Sequence, residues 1–224
     1  MQIVAHRGVH SPAGPAENTL DAFAAAVALG VDWFELDCRL SRDGELVVIH
    51  DETVDRTTSR LGRVATFTAA ELAEEGVPLL AQALQLATAQ TGALVEVKCD
   101  DEASDAPRLA LAVRAALGGC ANVAVQTFSS ELCALLACEW LVQPADHAGP
   151  PLLDMALALG ATGLNPHHEW ITADRVAALH AHGLTVSAWT VNDESHMREL
   201  LACGVDRVIT DQPELALRVR RQWP

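Results

Sequence analysis

The stretch that decides the fold runs from residue 32 to residue 50 and reads DWFELDCRLSRDGELVVIH. Two apolar runs, 32–40 and 46–49, lie on either side of a short polar segment that contains Asp43 and Gly44. A parallel crossover needs about a dozen residues, so these two runs can pair only as an antiparallel hairpin that turns at Asp43-Gly44. This hairpin interrupts an otherwise regular alternation of strands and helices.

Outside the hairpin, short β-type runs alternate with Ala- and Leu-rich helical segments. The other predicted strands are 2–5, 94–98, 123–128, 140–142, 162–164, 185–189 and 207–209, and the predicted helices are 19–29, 69–75, 81–89, 106–117, 131–139, 152–159, 173–182, 194–203 and 213–221. With 32–40 this makes eight parallel strands, the number that a TIM (β/α)8 barrel requires. An open doubly wound sheet is the alternative, but it would normally carry a glycine-rich first turn.

We therefore predict an α/β fold in which residues 1–224 form a single TIM (β/α)8 barrel domain, with the extra hairpin at its catalytic mouth. The first helix should begin directly after Asn18, a residue type that favours the N-cap position.

Composition limits the functions that are open to this chain. Its 224 residues include 15 Lys and Arg against 30 Asp and Glu, a formal net charge of −15. The electrostatic field of this negative charge repels nucleic acids and anionic membranes. No run reaches the about 18 apolar residues of a membrane span, and the N-terminus lacks the pattern of a signal peptide. Six scattered cysteines without a CxxC pair favour free thiols in a reducing compartment. We expect a cytoplasmic protein, and no protein partner is deducible.

Charged residues stand where the predicted strands end. Glu35 and Asp37 are two residues apart on the second strand, so both face the same side of it. Glu96 and Lys98 have the same spacing on the next parallel strand. Three carboxylates at one end of a barrel suit a hard divalent cation such as Mg²⁺, Ca²⁺ or Mn²⁺. The alternative is a structural ion-pair network with the neighbouring Arg and Lys side chains.

Two histidines are expected at the same place. His6 follows the first strand, with Arg7 beside it. A two-residue loop in the hairpin would put His50 opposite Asp37, with about 5 Å between their Cβ atoms, whereas a three-residue loop with a bulge would shift the register by one. The charge of Asp37 should then raise the pKa of His50, unless a bound metal ion fully cancels that charge. This makes His50 the predicted general acid and His6 the predicted general base.

These residues stand in motifs that resemble those of the glycerophosphodiester phosphodiesterase family. The motifs are AHRG (5–8), AENTLDAF (16–23), FELDCRLSRDGELVVIHDETVDRTT (34–58), VEVK (95–98), QTF (126–128), AWTVND (188–193) and GVDRVITDQP (204–213). They cover nearly the whole chain in the family's order. The resemblance implies a metal-dependent TIM barrel that hydrolyses small glycerophosphodiesters to glycerol 3-phosphate and an alcohol.

The resemblance also implies roles for single residues. The metal ligands would be Glu35, Asp37 and Glu96, the acid–base pair would be His6 and His50, and the groups that contact phosphate or substrate would be Arg7, Glu17 and Lys98. Trp189 lies at a strand end, and two roles are open for it: a core residue, or a wall on which substrate stacks. Two other functions remain open: a lysophospholipase D-type lipid phosphodiesterase, and a barrel that binds phosphodiesters without turnover. The sequence leaves the headgroup, the metal, the attacking hydroxyl and the oligomeric state undetermined.

Overall fold

The computed structural model describes residues 1–100, 102–143 and 151–223. Its strands are β1 (Gln2–Ala5), β2 (Trp33–Leu40), β3 (Leu46–Val48), β4 (Gly92–Val97), β5 (Val123–Thr127), β6 (Glu139–Val142), β7 (Gly163–Pro166), β8 (Thr185–Ala188) and β9 (Arg207–Thr210). Its helices are α1 (Leu20–Leu29), α2 (Ala69–Ala73), α3 (Leu80–Leu84), α4 (Glu102–Leu117), α5 (Ser130–Leu136), α6 (Leu152–Leu159), α7 (Ala173–His180), α8 (Glu194–Cys203) and α9 (Pro213–Gln222). Each predicted strand and helix is present; β1, α6 and α8 have the predicted ends, and the other elements are shifted at one or both ends.

The strands close into a TIM barrel, as the sequence predicted. Eight of them are parallel and form a ring in the order β1, β2, β4, β5, β6, β7, β8 and β9, with β9 pairing back to β1. Strand β3 lies outside this ring and pairs antiparallel with the end of β2. The main apolar core packs the outer faces of the strands against the helices. The inner faces carry a small apolar cluster of Val4, Leu94 and Ile209, together with buried polar residues.

Two helices end three or more residues before the predicted last residue. Helix α5 ends at Leu136 rather than at residue 139, because Ala137 takes the left-handed conformation with φ 50° and Glu139 already begins β6. Helix α3 covers five residues instead of the nine predicted.

The hairpin turns through three residues, which confirms the bulged three-residue loop and excludes the two-residue loop. Gly44 N donates to Ser41 O over 3.0 Å, and Ser41 N donates to Glu45 O over 2.9 Å. Gly44 has φ +85°, the left-handed conformation that such a bulged loop requires. The Ser41 hydroxyl holds the loop, since it donates to Asp43 Oδ1 and accepts from Glu45 N.

The longer loop shifts the register of the hairpin by one residue. Ile49 N donates to Asp37 O over 3.0 Å, so Asp37 lies opposite Ile49 and not opposite His50. Because side chains alternate along a strand, this one-residue shift changes what His50 can contact. The returning strand still carries His50 back to the mouth of the barrel, where it lines the same cavity as His6.

Two further findings bear on the sequence predictions. In the part of the chain that the structure describes, no helix is both long enough and apolar enough to cross a membrane. None of the six cysteines, all of which lie in the described part of the chain, forms a disulfide, and Cys38, Cys133 and Cys138 are buried.

Candidate active site

Three carboxylates meet inside the barrel near the carboxyl ends of β2 and β4. The register pairs Asp37 with Glu96, and Glu35 lies two residues before Asp37 on the same face of β2. All three side chains are buried, and each offers an oxygen within 4.8 Å of the others. Among the described residues, no other group of at least three His, Cys, Asp or Glu side chains meets this distance. The predicted convergence is therefore present.

Two cations lie against these carboxylates. Lys98 Nζ is 2.9 Å from Asp37 Oδ1 and also contacts Glu96 Oε1. Arg7 Nε is 3.4 Å from Asp37 Oδ2, and Arg7 N donates to Glu35 Oε2 over 2.9 Å. The other oxygen of Glu35, Oε1, is buried without a hydrogen-bond partner. Three acidic groups thus face two basic ones.

The imbalance appears in the pKa values of the carboxylates. Burial opposes ionisation of Asp37, but Lys98 and Arg7 overcome it and lower the pKa of Asp37. Burial and the charge of Asp37 raise the pKa of Glu35 to about 8. Burial likewise raises the pKa of Glu96, although Lys98 acts against it. Because one carboxylate has an unpartnered oxygen and all three supply hard oxygen donors, the cluster fits a divalent cation of the Mg²⁺, Ca²⁺ or Mn²⁺ type.

A tight turn after β1 brings Arg7 to this cluster. Gly8 N donates to Ala5 O over 3.1 Å, and Arg7 takes φ +55°, a conformation uncommon for a residue with a side chain. Gly8 has φ +82°, and a Cβ on it would lie 2.7 Å from the backbone carbonyl carbon of Ala22, so only glycine fits. The turn directs the backbone amide of Arg7 at Glu35. Strain of this kind is typical of functional sites.

Asn18 holds Asp37 instead of capping the first helix, so the predicted cap is wrong. The N-cap is Thr19, whose hydroxyl accepts from Ala22 N over 3.3 Å. Asn18 takes the left-handed conformation with φ +57°, and its buried amide Nδ2 donates to Asp37 Oδ2 over 2.8 Å. Asp37 N donates in return to Asn18 Oδ1 over 3.1 Å. Sequence reasoning missed this role because Asn is equally suited to a cap and to a left-handed turn.

Each of the two histidines is backed by a carboxylate. His6 Nδ1 is 2.6 Å from Asp211 Oδ1, and His50 Nδ1 is 2.7 Å from Asp51 Oδ1. With Nδ1 engaged, Nε2 is the ring nitrogen left for a ligand. The sequence predictions did not include Asp211 or Asp51. Their positions in the sequence could have indicated this role, since Asp211 directly follows β9 and Asp51 directly follows His50.

The two histidines have opposite pKa shifts, which contradicts the predicted direction for His50. Burial lowers the pKa of His6, but the hydrogen bond to Asp211 and nearby acidic charge outweigh it, so the pKa is raised. Burial lowers the pKa of His50, and Asp37 offsets this only in part because Lys98 acts against it. The main cause is therefore the burial of the His50 ring, which the charge of Asp37 does not overcome. His6 therefore keeps its proton to a higher pH than His50 does.

A cavity of about 120 Å³ lies above the carboxylates at the mouth of the barrel. Seven of the nine residues that the sequence singled out line it: His6, Arg7, Glu35, His50, Glu96, Lys98 and Trp189. Its apolar wall includes Trp189 and Phe128, whose rings meet edge to face at 5.3 Å. Asp37 is fully buried. Glu17 lines a neighbouring cavity together with His50, and its Oε1 accepts from Arg7 Nη1 over 2.9 Å.

The ends of the parallel strands bring buried carboxylates, two histidines and two cations to one cavity. This is the organisation of a TIM-barrel enzyme. Residues 6–215 match the family model described as the glycerophosphoryl diester phosphodiesterase family. The chain therefore belongs to this family, and it is a phosphoric diester hydrolase by class.

Relatives and solved structures agree with this assignment. The chain is 31% identical to a glycerophosphodiester phosphodiesterase of Bacillus altitudinis, over 99% of this chain and 98% of that relative. It is 30% identical to one of Caldanaerobacter subterraneus, over 98% of each. The structure is similar to that of an Oleispira antarctica phosphodiesterase in complex with the product sn-glycerol-3-phosphate. That match has a TM-score of 0.85 and 25% identity, and it covers 99% of this chain and 97% of the other.

Proposed function

We propose that the protein hydrolyses small glycerophosphodiesters to glycerol 3-phosphate and an alcohol, and that residues 1–224 form one domain for this reaction. The observation that carries the proposal is the single cavity that two carboxylate-backed histidines share with the buried carboxylate cluster. The names of the relatives support it, and so does the glycerol 3-phosphate in the Oleispira antarctica structure. The lack of disulfides among the six described cysteines supports a reducing, cytoplasmic location.

Glu35, Asp37 and Glu96 would hold a divalent cation, for which the unpartnered Glu35 oxygen and the raised Glu35 pKa give the physical reason. Such an ion would neutralise charge on the phosphodiester as the leaving oxygen departs. Asn18 would keep Asp37 in the orientation that the cluster needs, through its two hydrogen bonds.

Arg7 and Lys98 would bind the non-bridging oxygens of the phosphodiester. Both line the cavity and both are largely buried, with side chains 18% and 14% exposed. In such a partly dry site a cation interacts more strongly with a phosphate than it would in bulk water. This local positive charge also offsets the repulsion that a net charge of −15 imposes on an anionic substrate.

His6 and His50 would serve as the acid–base pair. One would take the proton from the attacking hydroxyl, which belongs either to water or to the glycerol 2-position, and the other would give a proton to the leaving oxygen. Asp211 and Asp51 hold the two rings through Nδ1, which would present Nε2 to the substrate. Trp189 and Phe128 would provide an apolar wall for the carbon atoms of the substrate.

The test is a release assay on glycerophosphocholine, glycerophosphoethanolamine, glycerophosphoinositol and a lysophospholipid, each with and without EDTA. We expect glycerol 3-phosphate from the glycerophosphodiesters, loss of release in EDTA, and recovery with Mg²⁺, Ca²⁺ or Mn²⁺. The His6→Ala/His50→Ala variant is the control for contaminating activity. Faster turnover of the lysophospholipid would favour the lipid phosphodiesterase. Binding without release would favour the non-catalytic barrel.

A further inference from the structure

Arg56 lies in the loop after the hairpin and does not line the cavity of the candidate active site. Its guanidinium nevertheless contacts two carboxylates of that region. Arg56 Nε is 2.6 Å from Asp51 Oδ2, and Nη2 is 3.2 Å from Asp51 Oδ1. The same Nη2 is 2.7 Å from Glu17 Oε1. One side chain therefore engages both oxygens of Asp51 and one oxygen of Glu17.

Each of these carboxylates holds one group of the proposed reaction. Asp51 Oδ1 is 2.7 Å from His50 Nδ1, and Glu17 Oε1 accepts from Arg7 Nη1 over 2.9 Å. A continuous path of alternating charge thus joins His50 to Arg7 through Arg56. The path joins chain segments that are 39 residues apart in sequence, from Glu17 to Arg56.

We propose that Arg56 is a positioning residue that orients His50 and Arg7 together, an inference that rests on the proposed function. By holding Asp51 it fixes the ring of His50, and by holding Glu17 it fixes the guanidinium of Arg7. The histidine and the phosphate-binding cation then keep a set separation, which a reaction at one phosphorus requires. Glu17, predicted as a contact to substrate, acts here through Arg7.

The chemistry of the guanidinium suits this role. Its planar fork donates in fixed directions, so one Arg can bind both oxygens of one carboxylate and reach a second carboxylate. A lysine has a single ammonium on a flexible stem and cannot reproduce this geometry. Hydrogen bonding to Arg56 also lowers the pKa of Asp51, which stabilises the ionised form of Asp51 that holds the His50 ring.

A purely structural role is a poor explanation for these contacts. The Arg56 side chain is 48% exposed, and ion pairs with that exposure contribute little to stability because water screens them. The same loop offers a matched control in Arg63, whose side chain is 61% exposed and pairs with Glu52. Arg63 has no ion pair to Asp51 or to Glu17 within the described residues.

The first experiment compares Arg56→Gln, Arg56→Lys and Arg63→Gln with the wild-type protein. Values of kcat and KM for glycerophosphocholine are measured from pH 5 to pH 9 at saturating divalent metal, and Tm is measured for each variant. We expect Arg56→Gln to lose about 10- to 100-fold in kcat and to change the pH profile of kcat. Arg56→Lys should recover part of the loss, Arg63→Gln should match wild type, and all Tm values should lie close together.

A double-mutant cycle adds a test of coupling. If Arg56 acts through Asp51, the Arg56→Gln/Asp51→Asn variant should lose much less kcat than the product of the two single losses. Fully multiplicative losses would contradict the inference. Equal losses for Arg56→Gln and Arg63→Gln, or wild-type kcat and pH profile for Arg56→Gln, would also contradict it.

A second measurement separates this inference from the proposed function. The ¹⁵N chemical shifts of the His50 ring report its tautomer and its hydrogen bond to Asp51 without any substrate. We expect Arg56→Gln to move these signals and Arg63→Gln to leave them unchanged. Unchanged His50 signals in Arg56→Gln would overturn the positioning role. Moved signals in a protein that hydrolyses no glycerophosphodiester would overturn the proposed function and leave the His50 contact intact.

Discussion

The interior of the barrel contains two buried charged clusters that are built differently. In the lower one, at the first residues of β6 and β9, Arg207 Nη1 lies 2.6 and 2.9 Å from the two oxygens of Glu139. Asn165 Nδ2 donates to Glu139 Oε2 over 2.8 Å and so completes the partners of that carboxylate. In the upper one, Glu35 keeps an unpartnered oxygen and a raised pKa. In the lower cluster both oxygens of the carboxylate have partners, although Arg207 Nε is buried without one, whereas the upper cluster has an unpartnered carboxylate oxygen and is short of positive charge.

The difference shows how burial of charge can serve two purposes. A buried ion pair is tolerable when each charge has its partner and its hydrogen bonds, and it then belongs to the fold. A buried carboxylate without a full set of partners costs stability, and such costs are typical of sites that bind ligands. We therefore expect changes in the upper cluster to affect turnover, and changes in the lower cluster to affect stability.

The largest expected effect is on turnover, from removal of one upper carboxylate. Glu96→Ala should lose on the order of 10³-fold or more in kcat, because the cluster would no longer hold the charge that offsets the phosphodiester. The variant should remain folded, with the far-ultraviolet circular dichroism spectrum of wild type, because removal of one of three mutually repelling carboxylates reduces electrostatic repulsion. Retained turnover after exhaustive chelation of the wild-type protein would refute this expectation.

The next effect concerns the two histidines. His6→Ala and His50→Ala should each lose about 10²- to 10⁴-fold in rate. The pKa of His6 is raised and that of His50 is lowered, so His6 is the better candidate for the general acid, the reverse of the order that the sequence predicted.

A p-nitrophenyl ester tests this order, because its leaving oxygen needs little protonation. His6→Ala should recover much of its rate on this substrate, and His50→Ala should not. In the pH profile of kcat/KM, the rise on the acidic side should report the pKa of His50, which must be neutral to act as the base. The fall on the alkaline side should report the pKa of His6, which must be protonated to act as the acid. If His50→Ala recovers more of its rate on this ester than His6→Ala does, the order predicted from the sequence is correct, with His50 as the acid and His6 as the base.

The sequence predicted the barrel and the carboxylate cluster because both depend on local spacing. Glu35 and Asp37 share a strand face whatever the rest of the chain does, and the strand count follows from one short loop. The register of the hairpin depends instead on how Ser41 and Gly44 complete the turn, which pattern alone does not determine. Asp211 lies 205 residues from His6, so only the closed ring brings the two together.

The lower cluster should show a loss of stability without a direct loss of chemistry. Arg207→Leu leaves the Glu139 carboxylate buried without its cation, and we expect a loss of about 3–5 kcal/mol in the free energy of unfolding. Denaturant unfolding measures this loss, and kcat at low temperature should remain near that of wild type. A variant as stable as wild type would show that Arg207 is not needed to balance Glu139.

The smallest expected effect is a gain in stability from Glu35→Gln in metal-free protein. The pKa of Glu35 lies at about 8 in the folded state against an ordinary value of 4.5, so folding favours the protonated form. The contribution of Glu35 to the free energy of unfolding of the metal-free protein should therefore be most favourable below pH 4.5. This contribution should fall as the pH rises towards 8. Glutamine cannot ionise and escapes this loss, a gain on the order of 1–3 kcal/mol at pH 8.

The most direct test of the incomplete upper cluster is the Tm of the wild-type protein and of Glu35→Gln at pH 5 and pH 8, in EDTA and then in excess Mg²⁺, Ca²⁺ or Mn²⁺. We expect Glu35→Gln to be the more stable protein in EDTA at pH 8, with a smaller difference at pH 5. Divalent metal should then raise the Tm of wild type well above any rise in Glu35→Gln. Equal Tm values in EDTA at both pH values, with the same response to metal, would contradict the claim that a cation completes this cluster.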